Sequence, residues 1–372
     1  MSPGRQLSTE WQGRSIHAWV PDPIADLVPE LAEVTVRATE RAAGAVERSG
    51  ELAVGLEAAA RLLLRAEGLA SSFIEGVEAS PEEVAVAELD PQTGGAAAWV
   101  ADNLAVVEDA LADQGRLTED LLMDWHRRLM RHAQLDPRMI GAWRDRQGWI
   151  GGGSPLTAAF VPPPASEIAR LMDDLITFAN RDDLDPITLA AITHAQFETI
   201  HPFADGNGRI GRVLIARILK QRLAIAIPPP VSVQFARDIG GYLSGLTLWR
   251  DDRVDLWVSW FAGCVEQASR SAADTLQAVV DLRRSWQERV ADLRADAAAR
   301  RLVTNLVDHP VLDVTTVAGL LGVSDEAARS AMGALEQRAI LTRTAQASAA
   351  SRRLGRPAAR WTASELLALI RR

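Results

Sequence analysis

The sequence predicts a mainly α-helical protein that has one small β-hairpin in its first 300 residues and a winged helix-turn-helix domain at its C-terminal end. Apolar residues recur at three- and four-residue spacing over most of residues 27–307, which is typical of helices packed on a core. The pattern breaks at residues 148–153 and 159–161, where two short runs surround a turn rich in glycine, serine and proline. Residues 299–372 carry eleven arginines against six acidic residues, although the whole chain has a net charge of −9. This charge reversal indicates that the last segment meets a polyanion.

The composition is that of a globular protein. A length of 372 residues suggests two or three domains, and 48% hydrophobic with 24% charged residues is an ordinary balance. The single cysteine, Cys264, excludes an intramolecular disulfide and a zinc site built from cysteines. Neither a signal peptide nor a membrane-spanning apolar run is visible, so we expect a cytoplasmic protein without membrane contact.

The first 27 residues show no clear pattern and are expected to be irregular. The clearest helix start lies at Ser80, where Pro81 follows in the first turn and Glu83 completes a capping box. The periodicity predicts helices over residues 27–49, 51–75, 81–89, 94–114, 118–132, 166–180, 186–199, 209–222, 233–248 and 254–307.

The last seventy residues follow a different order of elements. We expect helices over 314–321 and 325–337, the second capped by Ser324, and then strands over 340–344 and 359–362. The loop between those strands carries Arg352, Arg353 and Arg356. Two helices followed by a hairpin with a basic tip are typical of a winged helix, which predicts weak DNA binding. A protein-interaction or dimer module is the alternative, because the groove helix offers few cations.

Residues 201–212, with the sequence HPFADGNGRIGR, bring together groups suited to phosphate chemistry. Gly206 and Gly208 flank Asn207 just before a helix, so their N–H groups can form an anion cradle at a helix N-terminus. Arg209 and Arg212 lie three residues apart on one helix face and can clamp phosphate oxygens. The remaining groups are Asp205, a hard oxygen ligand for Mg²⁺, and His201, which can take a proton near neutral pH. A capping loop with two unrelated arginines is the alternative interpretation.

These residues resemble the motif of the Fic family, His-x-Phe-x-Asp/Glu-Gly-Asn-Gly-Arg-x-x-Arg, at every defined position. Residues 143–151 and 160–163 look like the family's flap hairpin, and the resemblance covers residues 15–265. It implies four parts: an N-terminal helical region (1–95), a Fic catalytic core (96–265), a connecting helix (266–298) and the winged helix-turn-helix domain (299–372).

Membership of this family would imply transfer of AMP from ATP, with Mg²⁺, to a Ser, Thr or Tyr hydroxyl of a target protein. His201 would deprotonate the hydroxyl, and Asp205 would hold Mg²⁺ on the α- and β-phosphates. The nucleotide would be bound by Gly206, Asn207, Gly208, Arg209, Arg212 and Tyr242. The intact Gly-Asn-Gly favours AMP transfer over the phosphate transfer of the Doc-like branch.

Two further roles follow from the resemblance. The target backbone would dock on the flap at Gly151, Gly152, Ala159, Phe160 and Val161. Tyr242 would lie near adenine, but Trp249 stands where the family often has an asparagine, and core packing explains both residues equally well. Gln196 is a similar case, since it can contact the nucleotide or serve the core.

The sequence Ser71-Ser72-Phe73-Ile74-Glu75-Gly76 resembles the family's inhibitory motif, Ser/Thr-x-x-x-Glu-Gly/Asn. In the self-inhibited class this motif lies on a helix N-terminal to the core, so Ser71, Glu75 and Gly76 would restrain the site, with Glu75 forming an ion pair with Arg212. An ordinary helix end with a glycine cap is the alternative.

Three alternatives concern the whole protein. The same residues can catalyse removal of AMP, with Glu75 positioning the attacking water. The chain can instead be a transcriptional regulator whose core only senses a nucleotide. Besides the target protein, DNA and a second copy of the chain are candidate partners.

Overall fold

A computed structural model describes residues 4–90, 92–344 and 359–371, and its secondary structure is mainly helical. The helices before residue 290 are α1 (Glu33–Ala53), α2 (Glu57–Ile74), α3 (Pro81–Leu89), α4 (Ala96–Ala112), α5 (Glu119–Leu129), α6 (Ala165–Ala179), α7 (Pro186–Ile200), α8 (Asn207–Arg222), α9 (Val231–Arg237), α10 (Ile239–Arg250) and α11 (Val254–Arg289). Each predicted helix has a counterpart, but the one over 233–248 is divided because Asp238 ends α9 and caps α10. No helix among these described residues is long and apolar enough to cross a membrane.

The prediction that the first 27 residues are irregular is wrong. Strands β1 (Gly4–Trp11) and β2 (Arg14–Pro21) form an antiparallel hairpin. Gln12 and Gly13 make its turn with φ angles of 49° and 75°, and β2 buries alternate residues from Ile16 onward. That period-two alternation beside a glycine was the signal in the sequence.

Helices α7 and α8 lie at the centre of the main core and carry the predicted site at their junction. Every residue of α7 after Pro186 is buried, as are residues 207–219 of α8. The core around them includes Phe178, Phe197 and Phe261, each fully buried. The connection between α7 and α8 is therefore held at both ends by helices that cannot tilt without disturbing the core.

The predicted flap hairpin is smaller than expected. Among the described residues 148–161, the β pairing is a single bridge in which Ile150 and Phe160 exchange backbone hydrogen bonds of 2.9 and 3.1 Å. Gly151 and Gly152 follow at once with positive φ angles, and the chain turns away before a second pair can form. The N-terminal hairpin supports the flap, because Trp19 N donates to Val161 O at 2.8 Å.

The long helix predicted over 254–307 is wrong in its length. Helix α11 ends at Arg289, and a separate α12 covers Ala298–Val303. No glycine or proline lies in residues 290–297, so the sequence carries no stop signal. The chain turns where Val290 enters the core of the C-terminal region, with 2% of its surface exposed.

The C-terminal region follows the predicted order of helices and strands. Its described elements are β3 (Val311–Leu312), α13 (Val314–Leu321), α14 (Asp325–Gln337), β4 (Thr342–Thr344), β5 (Arg360–Thr362) and α15 (Ser364–Ala368), with the antiparallel sheet order β3-β5-β4. Strand β3 was not predicted. The wing arginines Arg352, Arg353 and Arg356 lie outside the described residues, so DNA binding stays a prediction of the sequence, to be checked by gel shift with random duplex at low salt.

The core of the C-terminal region also contains one face of α2. Leu62 and Leu63 of that helix are 0% and 4% exposed and belong to the same buried cluster as Leu302, Val311 and Leu366. The helix that carries the predicted inhibitory residues is therefore shared between the two parts of the molecule.

Candidate active site

The loop between α7 and α8 is shaped by two left-handed residues. His201 ends α7 with φ 50° and ψ 59°, and its N–H donates to Phe197 O at 2.8 Å. Gly206 precedes α8 with φ 77°, and a Cβ at this position would lie 2.2 Å from Met130 Cε. Helix α8 begins at Asn207, two residues earlier than predicted. Only glycine fits residue 206, because both its φ angle and its close neighbour exclude a side chain.

Asn207 holds the loop together. Its Oδ1 accepts from Phe203 N at 2.8 Å, and its Nδ2 donates to Phe203 O at 2.9 Å. Both side-chain polar atoms are thus engaged within the loop, and the nucleotide contact that the resemblance implies for Asn207 stays a prediction.

Two residues that the sequence analysis did not assign to the site also fix this loop. His126 is fully buried, stacks on Phe203 with ring centroids 4.0 Å apart, and lies 3.1 Å from Asp205 O through Nε2. Its Nδ1 accepts from Gly141 N at 2.9 Å, so Nε2 is the nitrogen that donates. Burial lowers the pKa of His126 to about 4, which keeps the ring neutral.

Arg144 is the second such residue, and it joins the loop to the flap. Its guanidinium donates to the carbonyl oxygens of His201 at 2.8 Å and Pro163 at 2.6 Å, and the residue is 4% exposed. The first bond satisfies a carbonyl that the left-handed residue at the end of α7 leaves without a helical partner, and the second ties the chain before α6 to the same guanidinium. The signal in the sequence was an arginine in the flap, but nothing there identified its acceptors.

The imidazole of His201 is suited to accept a proton. Its side chain is 23% exposed, and burial, with a smaller contribution from the Arg144 charge, lowers its pKa to about 4. The ring is therefore neutral around pH 7. A cleft of about 230 Å³ lies beside it, lined by residues that include Gln147, Trp149 and Ala204. A hydroxyl side chain entering this cleft from the flap can reach the ring.

Arg209 and Arg212 lie on the same face of α8, and both are nearly enclosed. Their side chains are 7% and 1% exposed. Arg209 Nε and Arg212 Nη1 are buried and have no hydrogen-bond partner among the described residues. Arg212 Nη1 would lie 2.8 Å from a Cβ at Gly208, beside the first turn of α8. Unpaired guanidinium donors next to a helix N-terminus indicate a site for anionic oxygens.

The remaining donors of Arg212 bind the end of α2. Nε donates to Ser71 Oγ, and Nη2 donates to Ser71 O and Glu75 Oε1, all at 2.8 Å. The Glu75 carboxylate also covers Gly208, because a Cβ there would lie 2.0 Å from Oε1. A carboxylate therefore occupies the cradle that the sequence assigned to phosphate.

Charge and helix geometry agree with this contact. Burial acts to raise the pKa of Glu75, but the Arg212 guanidinium outweighs it and holds that pKa below its ordinary value. The Glu75 side chain is 34% exposed, so it is closer to solvent than Arg212. Helix α2 ends at Ile74, so Glu75 is its C-cap residue, and Gly76 follows with φ 77°.

Asp205 lies at the edge of the cradle with its side chain 59% exposed, and its Oδ1 accepts from Gly206 N at 2.6 Å. No group of three or more potential metal ligands occurs among the described residues. A single exposed carboxylate next to an anion site fits Mg²⁺, which keeps several waters and is held by one or two carboxylates together with substrate phosphates.

Comparison with known proteins agrees with this geometry. Residues 116–219 match the model of the Fic/DOC family. This part of the chain is a Fic/DOC domain. Proteins named "Protein adenylyltransferase Fic" from Drosophila erecta and Drosophila willistoni are 26% and 29% identical over 205 and 164 residues, which are 52% and 43% of this chain and 39% and 30% of those proteins. The chain thus spans well under half the length of these curated relatives.

Solved structures show the fold over a larger share of the chain. A Fic family protein from Desulfovibrio desulfuricans covers 90% of this chain and 97% of its own, with a TM-score of 0.56 at 23% identity. A Fic domain containing signaling protein from Bacteroides thetaiotaomicron covers 66% of this chain and 97% of its own, with a TM-score of 0.52 at 18% identity. The matched residues 116–219 contain the whole of the 201–212 loop but not α2.

The structure places Tyr242 in the main core rather than at an open surface. The residue is 2% exposed, and its hydroxyl lies 2.9 Å from His194 Nε2. Trp249 is also 2% exposed, and its Nε1 donates to Gln196 Oε1 at 3.2 Å. The core-packing alternative therefore describes these three residues, and an adenine contact by Tyr242 is not supported by its burial.

The flap residues predicted to dock the target do not line the His201 cleft, whose flap lining is Gly148 and Trp149, whereas Ala159, Phe160 and Val161 line a separate pocket beside β2. Gly151, Gly152 and Ala159 are exposed, whereas Phe160 is half-buried under the Arg250 guanidinium, 4.0 Å from its ring centroid. The backbone next to Gly151 is consequently accessible for pairing with an extended segment of another protein.

Proposed function

We propose that this chain is a protein adenylyltransferase that transfers AMP from ATP to a hydroxyl side chain of a target protein, and that Glu75 restrains it. The observation that carries the proposal is the contact between Glu75 and Arg212 over Gly208, in a loop that keeps every residue of the Fic motif. A carboxylate held in this position is a substitute for a phosphate group.

The contacts support a division of roles between the two arginines and the cradle. With Glu75 withdrawn, Arg212 Nη2 and Nη1 and the first turn of α8 face the same space, and a triphosphate offers them more anionic oxygens than one carboxylate does. Arg209, which lies 3.7 Å from Asp205 through Nη2, is placed to contact the neighbouring phosphate. The Gly206 and Gly208 N–H groups can stabilise charge on the phosphate that is attacked.

The neutral imidazole of His201 supports a role as general base. It takes the proton of the target hydroxyl as the oxygen bonds to the α-phosphorus, and the bond from that phosphorus to the bridging oxygen breaks, so that pyrophosphate leaves. Mg²⁺ held by Asp205 would offset charge on the phosphates. The target segment would lie along the flap, which brings its side chain into the cleft beside His201.

Labelling with ATP that is radioactive at the α-phosphate tests this proposal. The Glu75→Gly protein incubated with a cell lysate should transfer label to protein, and label at the γ-phosphate should not transfer. Adding His201→Ala should reduce the rate about 10²–10⁴-fold while ATP binding persists. His17→Ala is the matched control, since that histidine is exposed on β2. Equal labelling with and without His201 would contradict the proposal, and release of AMP from a modified protein would favour the reverse reaction.

A further inference from the structure

Glu198 is a buried carboxyl group one helical turn before His201. It lies on α7, outside the motif of residues 201–212, and its side chain is 9% exposed. Its Oε2 lies 3.9 Å from His201 Nδ1, which is too long for a hydrogen bond but within reach of a small side-chain rotation. Catalytic hydrogen bonds are often long before substrate binds and shorten in the productive complex.

One polar atom of each residue lies buried without a hydrogen bond, and the backbone carbonyl of Glu198 is the other acceptor near the His201 ring. His201 Nδ1 and Glu198 Oε1 are both buried without a hydrogen bond among the described residues. The backbone of His201 is fixed at both polar groups, because its N–H donates to Phe197 O and its carbonyl oxygen accepts from Arg144 Nε. The position of the side chain is therefore fixed at its Cα atom. A buried donor that stays unpaired costs stability, which favours a contact between them.

Gly211 of helix α8 leaves space for the Glu198 carboxyl group. A Cβ at Gly211 would lie 2.4 Å from Glu198 Oε1 and 3.0 Å from His194 Nδ1. Gly211 is at a position that the motif leaves open, yet any larger residue there would press the carboxyl out of place. The pocket for Glu198 is thus built into the contact between α7 and α8.

The charged and titratable groups around this pair are known from the structure. Arg212, Glu75, Arg250 and Tyr242 face Glu198, with His194 beside it across Gly211. Arg144, Glu75 and Asp205 face His201. Of the acidic groups among them, the Glu198 carboxyl lies within 4 Å of the His201 ring, with Oε2 3.9 Å from Nδ1.

We propose that Glu198 is a positioning residue for His201: it accepts the Nδ1–H of the ring and so leaves Nε2 as the nitrogen that takes the hydroxyl proton. This inference rests on the proposed transferase function. Glu198 acts through His201 and contacts neither nucleotide nor target. An acceptor at Nδ1 fixes both the tautomer and the orientation of a general base, and its negative charge stabilises the imidazolium that forms.

The kinetic test uses Glu75→Gly as the parent, to which Glu198→Gln is added because glutamine keeps the volume of the side chain. We expect kcat for AMP transfer to fall about 10–100-fold with KM for ATP unchanged, the size typical of a partner that orients a reacting group. Glu67→Gln is the matched control, since Glu67 is also a buried glutamate near Arg212 but binds Ser232 rather than facing His201. Thermal unfolding of each variant checks that it folds.

The pH profile separates a positioning role from a structural one. Burial raises the pKa of Glu198 to about 8, and the nearby Glu75 charge adds to this, so the pKa lies lower in the Glu75→Gly parent. The parent rate should therefore rise with pH as Glu198 loses its proton, at or below about pH 8. That rise should vanish in Glu198→Gln and persist in Glu67→Gln. A Glu198→Gln variant with the kcat and the pH rise of its parent would overturn the inference.

A second measurement does not depend on activity. In protein labelled with ¹⁵N-histidine, the His201 ring should show a protonated Nδ1 and an unprotonated Nε2, with the signals assigned by His201→Ala. Glu198→Ala should shift this ring toward a mixture of tautomers. An unchanged ring would contradict the role of Glu198 even if AMP transfer is never seen, whereas a shifted ring without transfer would count against the proposed function alone.

Discussion

The two ends of helix α2 are held in different ways. At the C-terminal end Ser71 and Glu75 bind Arg212 through polar contacts, and Phe73 between them is 45% exposed. In the N-terminal half Leu62 and Leu63 lie in the core of the C-terminal region. One end is thus a polar contact at the edge of a site, and the other end is part of a core.

The difference indicates which end can move. Burying a leucine side chain contributes about 1.5–3 kcal/mol, whereas an ion pair that is partly exposed contributes about 1 kcal/mol or less. Arg65 strengthens the buried half, because its Nε donates to Glu88 of α3 at 2.7 Å and its Nη2 lies 3.5 Å from Asp308 O. Release of Glu75 therefore requires only a local change, while the buried half keeps the helix in place.

The largest expected effect is that of Glu75→Gly on AMP transfer. Removing the carboxylate frees Arg212 and the first turn of α8 for the triphosphate, so its leaving group can align with the attacking hydroxyl. We expect self-labelling from α-labelled ATP to rise about tenfold or more. Glu78→Gly is the matched control, since Glu78 is an exposed glutamate three residues on.

Adding Arg212→Ala to Glu75→Gly tests the mechanism of that activation. The double variant should label no better than the wild type, because the guanidinium that the triphosphate needs is missing. If Glu75→Gly itself gives wild-type labelling, the restraint does not exist and residues 71–76 are an ordinary helix end.

The sequence predicted the parts of this site that depend on local order. The 201–212 loop could be read because its base, cradle and arginines lie within twelve residues and a helix start fixes their directions. His126 and Arg144 could not be assigned, because their acceptors are backbone carbonyls that only the fold brings near. The bonds between the Asn207 side chain and Phe203 could not be predicted either, because they depend on the exact turn.

The fold shows the same division. Helices that begin at a clear N-cap, such as α3 and α14, agree with the prediction, because that signal lies within the element. The end of α11 and the strand β3 depend on a core formed by distant residues, Leu302 and Trp361 among them, and no local signal marks them. The β1–β2 hairpin is a different case, since its alternation was visible but was not recognised.

Ser71→Ala should have a smaller effect than Glu75→Gly. It removes the hydroxyl that accepts from Arg212 Nε, but the Ser71 carbonyl and Glu75 still bind Nη2. The variant loses one hydrogen bond to a charged group, which contributes about 1.5–3 kcal/mol at most to the restrained state. When ATP binds, Arg212 Nε can donate to the triphosphate instead, so the ATP-bound state does not share this loss. We expect a rise of a few-fold in self-labelling that disappears in the Glu75→Gly background. A rise of equal size in that background would place Ser71 outside the restraint.

The contribution of the Glu75–Arg212 pair to stability should depend on pH in a known direction. Because Arg212 holds the pKa of Glu75 below its ordinary value of about 4.3, the pair stabilises the folded chain above that value, and the stabilisation is lost as pH falls through the lowered pKa. The midpoint of thermal unfolding should differ between wild type and Glu75→Gln at pH 7, by an amount equivalent to about 1 kcal/mol, and the difference should shrink as pH falls below the ordinary pKa of a glutamate. A difference that does not shrink as the solution is acidified would assign the stabilisation to packing instead.

The smallest effect on self-labelling should come from the buried half of α2. Arg65→Met keeps most of the length and apolar contact of the side chain but removes its bonds to Glu88 and to Asp308 O. Glu88 is left with Arg61, whose Nε lies 4.0 Å away, so part of the charge stays compensated. We expect a loss of about 1–3 kcal/mol in the free energy of unfolding.

The same variant tests whether the C-terminal core determines where α2 lies. If it does, Arg65→Met should raise self-labelling about twofold in the wild-type background. It should have no effect on labelling in the Glu75→Gly background, because the buried half acts on the site only by positioning Glu75. Arg37→Met on α1 is the matched control, since its ion pair with Glu33 is exposed to solvent. A stability loss without any change in labelling would show that the two ends of the helix are independent, and that the polar end alone determines the restraint.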